Sequence, residues 1–272
     1  MLPITDKALC CGCSACVHVC PQGCISLEPD AEGFLYPAVR EAQCTHCGRC
    51  DAVCPVAHPP NPSEKNTQSY VIRAKERDVL MGSTSGGFFT PLAAWVLGQG
   101  GAVCAASFDH DFRVKHVLLR KADGEDYRQC RGSKYVQSDL DGLFPQIRQA
   151  LRQDETVCFV GTPCQVAGLK AFLGADVEKL ITVDLVCHGV PSPKLWDKYI
   201  AYQEKMHHSA IRQVSFRDKT YGYGNAALDK KDRKGCNGDK NVLNILMWEE
   251  GYLRLKYLNN GDGLLGHRAV LF

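Results

Sequence analysis

The sequence predicts two folds in tandem: a small α+β module wrapped around cysteines, then an α/β domain with a largely parallel sheet. Three observations carry this expectation. Cys10, Cys13, Cys16 and Cys20-Pro21 are echoed by Cys44, Cys47, Cys50 and Cys54-Pro55, two runs of the form Cys-x2-Cys-x2-Cys-x3-Cys-Pro. A Pro-rich polar stretch, residues 59–69 with His58-Pro59-Pro60-Asn61-Pro62 at its start, reads as a semi-rigid linker. From Tyr70 onward, short β-branched runs alternate with segments of helical periodicity, the pattern of a sheet connected by crossover helices.

Each cysteine of the second run lies 34 positions after its counterpart, so the module is an internal repeat. Three thiolates at three-residue intervals wrap one face of a cubane iron-sulfur cluster, and the fourth comes from elsewhere. In two-cluster ferredoxins the fourth cysteine of each run ligates the other cluster. That rule assigns Cys10, Cys13, Cys16 and Cys54 to one 4Fe-4S centre and Cys44, Cys47, Cys50 and Cys20 to a second. Residues 1–58 thus resemble a bacterial-type dicluster ferredoxin domain, α+β in class. The alternatives fit less well: a zinc site favours paired Cys-x2-Cys units closed by four ligands, and a disulfide framework needs an oxidising compartment. Cys11 and Cys24 break the pattern and read as small, buried, inert thiols. Between the runs, Ile25, Leu27, Phe34, Tyr36 and Val39 flank Pro29-Asp30 and Gly33, as in a hairpin that shields the clusters.

With 272 residues, 45% hydrophobic and 23% charged, the chain buries a full core and holds one or two domains beyond the cysteine module. Its 32 Lys and Arg against 30 Asp and Glu leave a formal charge of +2. Two oxidised four-thiolate clusters move that balance to about −2. Neither value makes an electrostatic case for nucleic acid. Met1 to Lys7 has no basic region followed by an apolar run, and the chain carries sixteen cysteines, which together predict a cytoplasmic protein. The longest apolar segment, Pro91 to Leu97 and on through Ala102 to Ala106, is interrupted by Gly98, Gln99, Gly100 and Gly101. It is too short and broken for a membrane span.

In the second domain, Tyr70 to Ala74 reads as a strand. The turn Gly82-Ser83-Thr84-Ser85-Gly86-Gly87 opens a helix on which Phe88, Phe89, Leu92, Trp95 and Val96 recur at helical spacing, with Pro91 in its first turn. Gly101 to Phe108 and Val114 to Leu119 read as strands joined at Asp109-His110-Asp111. Leu140, Leu143, Phe144, Ile147 and Leu151 mark the next amphipathic helix. Thr156 to Val160 is a buried strand, followed by a helix with Thr162 as N-cap, Pro163 at its first position and Gly174 as C-cap. Leu180 to Val186 is another buried strand. Ser192-Pro193 opens a helix carrying Leu195, Trp196, Tyr199 and Ile200, and Ile211 to Phe216 is a further strand.

Two strand ends carry chemistry. Thr156 to Val160 runs into Gly161-Thr162-Pro163-Cys164-Gln165, placing Cys164 in a first helical turn, where unpaired N–H groups and the dipole lower a thiol's pKa. Leu180 to Val186 runs into Cys187-His188-Gly189-Val190-Pro191. Ligands bind beyond the carboxyl ends of strands in open α/β sheets, which makes Cys164, Cys187 and His188 the catalytic candidates. Packed thiols and a satisfied loop histidine are the equal alternative. The Gly82–Gly87 loop offers backbone donors to a phosphate, or serves close packing. Arg131, Gly132, Ser133, Lys134 and Tyr135 combine two cations, two hydroxyls and an aromatic in one loop, suited to a phosphorylated cofactor or to plain solvation.

In order and spacing, Gly82 to Phe88, Gly132 to Val136, Gly161 to Gln165 and Val183 to Pro193 resemble the family of coenzyme F-420 hydrogenase and dehydrogenase beta subunits over about residues 70–220. The resemblance implies an iron-sulfur flavoprotein, with FAD passing electrons between clusters and a two-electron acceptor, in some members coenzyme F-420. By that resemblance, FAD contacts fall on Ser85, Gly86, Gly87, Ser133, Lys134 and Tyr135. Thr162 and its turn line the same crevice as Cys187 to Gly189. The resemblance is expected to end near Tyr221. Residues 221–272 read as an atypical tail, frameshifted or truncated, or else divergent with a helix from Val242 to Leu255. The expected function is an oxidoreductase working with a redox partner protein or subunit and a small-molecule electron acceptor. The alternative is a non-catalytic electron-carrier subunit that docks to an enzyme.

Overall fold

The structure is a computed structural model that describes residues 4, 6–60, 68–124, 126–174, 177–218 and 225–230. The linker from 61 to 67 and the expected helix from Val242 to Leu255 lie outside these residues. In chain order, the first module contains helix α1 (Ala15–Val19), strands β1 (Ile25–Pro29) and β2 (Leu35–Val39), and helix α2 (Arg49–Ala52). β1 and β2 pair antiparallel from Ile25 opposite Val39 to Pro29 opposite Leu35, the hairpin expected between the two runs. Asp30 Oδ1 closes its turn by accepting from the N–H groups of Glu32 and Phe34, each at 3.0 Å. This use of an Asp side chain explains why Pro29-Asp30 ends the strand.

The second domain follows with α3 (Arg77–Met81), α4 (Phe89–Gly98), β3 (Ala102–Phe108), β4 (Val114–Arg120), α5 (Leu143–Arg152), β5 (Val157–Gly161), α6 (Pro163–Leu173), β6 (Leu180–Asp184), α7 (Pro193–His207), β7 (Ile211–Asp218) and β8 (Asn225–Lys230). The main sheet has the order β4-β3-β5-β6. β3–β5 and β5–β6 are parallel, while β3–β4 is an antiparallel hairpin. The sheet is therefore mixed, with mostly parallel pairs. β7 and β8 form a separate antiparallel pair, so Asn225–Lys230, read from sequence as part of the atypical tail, continues the ordered fold.

Four sequence readings need correction, the first being the buried strand from Leu180 to Val186: it ends at Asp184, is only half-buried, and leaves Leu185 and Val186 exposed beyond it. Tyr70–Ala74 is not a strand: it pairs with no strand among the described residues, Tyr70 and Val71 are exposed, and a main-chain bond from Ala74 N–H to the Gly86 carbonyl at 2.7 Å holds the segment. α4 buries Thr90, Ala93, Val96 and Leu97 and leaves Phe88 and Trp95 outside. With Phe89 to Leu97 apolar on nearly every side, hydrophobic spacing could not select the inward face. On α7, Trp196 is buried but Leu195 is exposed. Elsewhere the capping chemistry holds. Thr162 and Gln165 form a reciprocal capping box at the start of α6, Pro163 opens the helix and Gly174 closes it in the left-handed region, as such residues do.

The two parts share one core. Cys13, Ala15 and Val53 of the cysteine module pack in the same cluster as Leu140, Phe144, Ile147, Phe159, Leu169 and Phe172. His18 on α1 stacks on Phe144 with ring centroids 4.6 Å apart. Polar clamps add direction. Gln137 accepts from Leu35 N–H at 2.9 Å and donates to the Leu35 carbonyl at 3.2 Å. Ser192 Oγ donates to the Glu32 carbonyl at 2.6 Å, and Lys194 Nζ to the Ala31 carbonyl at 2.9 Å. The hairpin turn thus rests on the start of α7.

Candidate metal centres and cofactor crevice

The eight cysteines of the two runs sort into two cavities. One, with about 470 Å³ of empty space including its mouth, is lined by Cys10, Cys13, Cys16 and Cys54, with Cys11, Ala15, Leu27, Pro37 and Val56 around them. The other, about 320 Å³, is lined by Cys20, Cys44, Cys47 and Cys50, with Cys24, Ile25 and Arg49. Each set takes three cysteines from one run and the last from the other. Four thiols around an apolar cavity fit a four-thiolate iron-sulfur cluster, whose ligands must be soft and whose environment must exclude water.

The cavities differ in setting. The first is backed by α6, where Gly168 faces Cys13, and Cys13 is buried. The second faces outward, with Cys47 exposed. Glu41, Cys44 and His46 also bring their ligand atoms within 4.8 Å of one another there, a juxtaposition that cysteine spacing does not reveal.

Cys164 stands at the junction between the first cavity and the α/β sheet. Its thiol lies 3.1 Å from Thr162 Oγ1 and 3.9 Å from the Cys11 carbonyl. The expectation that the helix terminus lowers its pKa is overturned. Its hydrogen bond with the Cys11 thiol, then burial, pushes it well above the ordinary thiol value. Cys187 lies close enough for Cys164 to influence it, and burial raises its pKa as well. The Cys187 sulfur accepts from Gly189 N–H at 3.5 Å. His188 is on the exposed side of the same loop. The pKa of both thiols is thus held up, by the Cys11 hydrogen bond first for Cys164 and by burial first for Cys187.

Beneath the Thr162–Gln165 turn lies a buried polar chain. His116 Nε2 sits 3.1 Å from the Val160 carbonyl, which only accepts, so that nitrogen carries the proton. Its Nδ1 then accepts from Ser138 Oγ at 2.9 Å, Ser138 accepts from Gln165 Nε2 at 2.9 Å, and Gln165 Oε1 accepts from Thr162 N–H at 2.9 Å. Burial lowers the His116 pKa to about 4. Every member is satisfied, which makes the chain a rigid support for the turn. A lone histidine in a strand of alternating pattern carries no sequence signal for this role.

The loops expected to hold a cofactor do meet. Thr84 Oγ1 accepts from Ser133 N–H at 2.8 Å and lies 3.1 Å from Ser133 Oγ. Arg131 extends beside Gly82, and its Nε is buried without a hydrogen-bond partner among the described residues. An orphaned cationic N–H beside two hydroxyls and a glycine turn fits an anionic phosphate. Other expected contacts have protein roles. Gly86 backs onto the Ile72 carbonyl, which any β-carbon would strike, and Gly87 is buried. Lys134 Nζ donates to the carbonyls of Arg131 at 3.0 Å and Gly132 at 3.3 Å, and burial lowers its pKa to about 8. Tyr135 packs edge-on against Phe216, 5.5 Å between centroids. Ser85 remains at the surface.

Comparison with known proteins places these features. Residues 9–58 match the 4Fe-4S dicluster domain, and residues 154–245 match the C terminus of the coenzyme F420 hydrogenase/dehydrogenase beta subunit. The second match runs past Tyr221, where the resemblance was expected to end. Over 192 residues the chain is 26% identical to a subunit of F(420)H(2) dehydrogenase from Methanosarcina mazei, covering 68% of this chain and 54% of that protein. It is 27% identical over 167 residues to coenzyme F420-dependent sulfite reductase of Methanocaldococcus jannaschii, covering 61% of this chain and 26% of the relative. Over 51 residues it is 45% identical to the methylamine utilization ferredoxin-type protein MauM of Paracoccus denitrificans, covering 17% of this chain and 23% of that protein. The chain thus spans about half, or less, of the length of the curated relatives it matches. Among the described residues no helix is long and apolar enough to cross a membrane.

Proposed function

We propose that this chain, which joins a 4Fe-4S dicluster domain to the C-terminal domain of the coenzyme F420 hydrogenase/dehydrogenase beta subunits and is homologous to an F(420)H(2) dehydrogenase subunit, is an iron-sulfur flavoprotein oxidoreductase. The observation that carries the reading is the asymmetry of the two cysteine cavities. One opens outward at Cys47 and suits exchange with a redox partner; the other backs onto α6 and the Cys164 turn, toward the cofactor crevice. In this reading Cys10, Cys13, Cys16 and Cys54 hold the inner cluster, and Cys20, Cys44, Cys47 and Cys50 the outer one.

When bound, the clusters carry single electrons and a flavin collects two for a two-electron acceptor. The chain's own residues position these groups. Arg131 and Ser133, beside the Gly82–Gly87 loop, would take the phosphates of FAD. The His116–Ser138–Gln165 chain holds the Thr162 turn still, and Cys164 and Cys187 wall the crevice. Coenzyme F-420 is a candidate acceptor, on the strength of what the relatives are named for.

Anaerobically purified protein should contain about eight irons with matching sulfide, and about one flavin per chain by fluorescence after acid release. Eight irons without flavin would leave the second reading, an electron-carrier subunit that docks to an enzyme, which the outward-facing Cys47 also favours. A chain without iron would overturn both.

A further inference from the structure

Helix α7, the longest among the described residues, turns an apolar seam outward. Leu195, Tyr199, Tyr202 and Met206 follow one another at intervals of four, three and four residues, the spacing that keeps side chains on one face and that helix pairing uses. Leu195 is 48% exposed, Tyr202 56% and Met206 55%, while Tyr199 is half-buried. The opposite face is fixed. Trp196 is buried with Ile211, Val214 and Phe216 of β7, donates from Nε1 to the Phe112 carbonyl at 2.7 Å, and stacks on Tyr199 with ring centroids 5.9 Å apart. Ser192 and Lys194 tie the start of the helix to the hairpin turn. That turn is the end of the hairpin away from Cys24 and Ile25, which line the outer cavity. The seam is thus rigid before any partner arrives, which lowers the entropy cost of docking.

The rim of the seam is positive. Lys198 and Lys205 are exposed along it, and neither is in an ion pair among the described residues. The two carboxylates of α7 are engaged elsewhere: Asp197 faces Arg113 at 3.4 Å, and Glu204 accepts from Ile211 N–H at 3.0 Å. This sign selects the occupant. Two α7 helices from two copies of the chain would set lysines along a shared seam with no free carboxylate to answer them, an arrangement that opposes pairing. Residues 231–272, which follow β8, carry seven Lys and Arg against five Asp and Glu and bring no net negative charge. Helix α4 also exposes apolar side chains, Phe88 and Trp95, but no charged residue lies between Phe89 and Gly98 to choose a partner.

We propose that the α7 seam is a docking surface for an amphipathic helix of a partner protein, which sets apolar side chains against Leu195, Tyr202 and Met206 and carboxylates against Lys198 and Lys205. The surface is separate from the outward cavity at Cys47, and the proposal holds whether or not the chain carries flavin.

Two synthetic helical peptides test it by fluorescence anisotropy against the full chain purified anaerobically. Both carry leucines at alternating three- and four-residue intervals; one flanks them with Glu, the other with Lys. The Glu peptide is expected to bind at least about tenfold tighter than the Lys peptide, and Lys198→Glu/Lys205→Glu should reverse that order. Tyr202→Ala should weaken the Glu peptide at least about tenfold, while Trp95→Ala on α4 leaves it unchanged. Equal affinity for the two peptides, binding of neither, an unreversed order in the double variant, or an equal loss from Trp95→Ala would each overturn the proposal. A dimer in sedimentation that Tyr202→Ala abolishes would assign the face to a second copy instead. Cross-links from Lys198 or Lys205 to residues 231–272 of the same chain would assign it to that segment, and either result overturns the proposal.

Discussion

Gly168 of α6 faces Cys13 so closely that a methyl group on it would sit 3.0 Å from the Cys13 sulfur and 3.0 Å from its β-carbon. Glycine inside a helix ordinarily costs about 0.5–1 kcal/mol relative to alanine. Here it lets a helix of the second domain lie directly against Cys13, one of the proposed cluster ligands. Gly168→Ala should therefore lower thermal stability and weaken iron retention or shift the midpoint potential of the inner cluster, leaving the outer one unchanged. Gly98→Ala is the control, since nothing lies within 4 Å of a β-carbon there. Equal stabilisation of both variants would argue against the contact.

Gln137 mimics a β-strand partner for Leu35, accepting from its N–H and donating to its carbonyl. Gln137→Ala leaves both main-chain groups in a half-buried site without those bonds, and should cost about 1–3 kcal/mol. Urea unfolding of the anaerobic holoprotein measures this. A loss under about 0.5 kcal/mol would mean that water replaces the clamp.

His116 makes stability depend on pH with a definite sign. Its folded pKa of about 4 lies below the unfolded value of 6.5, so the unfolded chain binds the proton first as pH falls. Its contribution is fully present above about pH 6.5, declines as the pH drops toward 4, and is then exhausted. The integrated loss is about 3 kcal/mol. Unfolding free energies of wild type and His116→Gln, measured from pH 7 to 4, should converge toward the acid end by roughly that amount. Parallel curves would show that the ring is solvated.

Arg131→Gln should lower flavin content at least about tenfold, the loss expected for one charge-assisted hydrogen bond in a buried site, while iron content stays at the wild-type level. Unchanged flavin would move the phosphate site away from the Gly82–Gly87 and Arg131–Ser133 loops. Lys134→Gln should act on the fold of its own loop instead, because its ammonium is already held by the Arg131 and Gly132 carbonyls.

Much of this protein follows from local rules. The doubled cysteine spacing, with the exchange of the last cysteine of each run, determined which four cysteines line each cavity. Thr162-Pro163 with Gln165 and Gly174 determined both ends of α6, because capping depends on side chains within a few residues of the terminus. The hairpin at Pro29-Asp30 and the strand from Val157 to Gly161 were legible for the same reason. α4 shows the limit: its residues are apolar on all sides, so which ones face inward is decided by the sheet it rests on.

The tertiary structure decided what no short window contains. Gln137 and Leu35 are 102 residues apart in sequence, and neither side of the clamp has a local signature. The pKa of Cys164 reversed its expected direction because a thiol from the other module, Cys11, outweighs the helix terminus that sequence alone reveals. Cys24 is buried, as its break from the cysteine pattern suggested, and it is folding that sets its sulfur 3.3 Å from that of Cys20. The grouping of the cysteines follows from spacing along the chain. The inequivalence of the two cavities follows from which one the second domain packs against, and that is a property of the shared core.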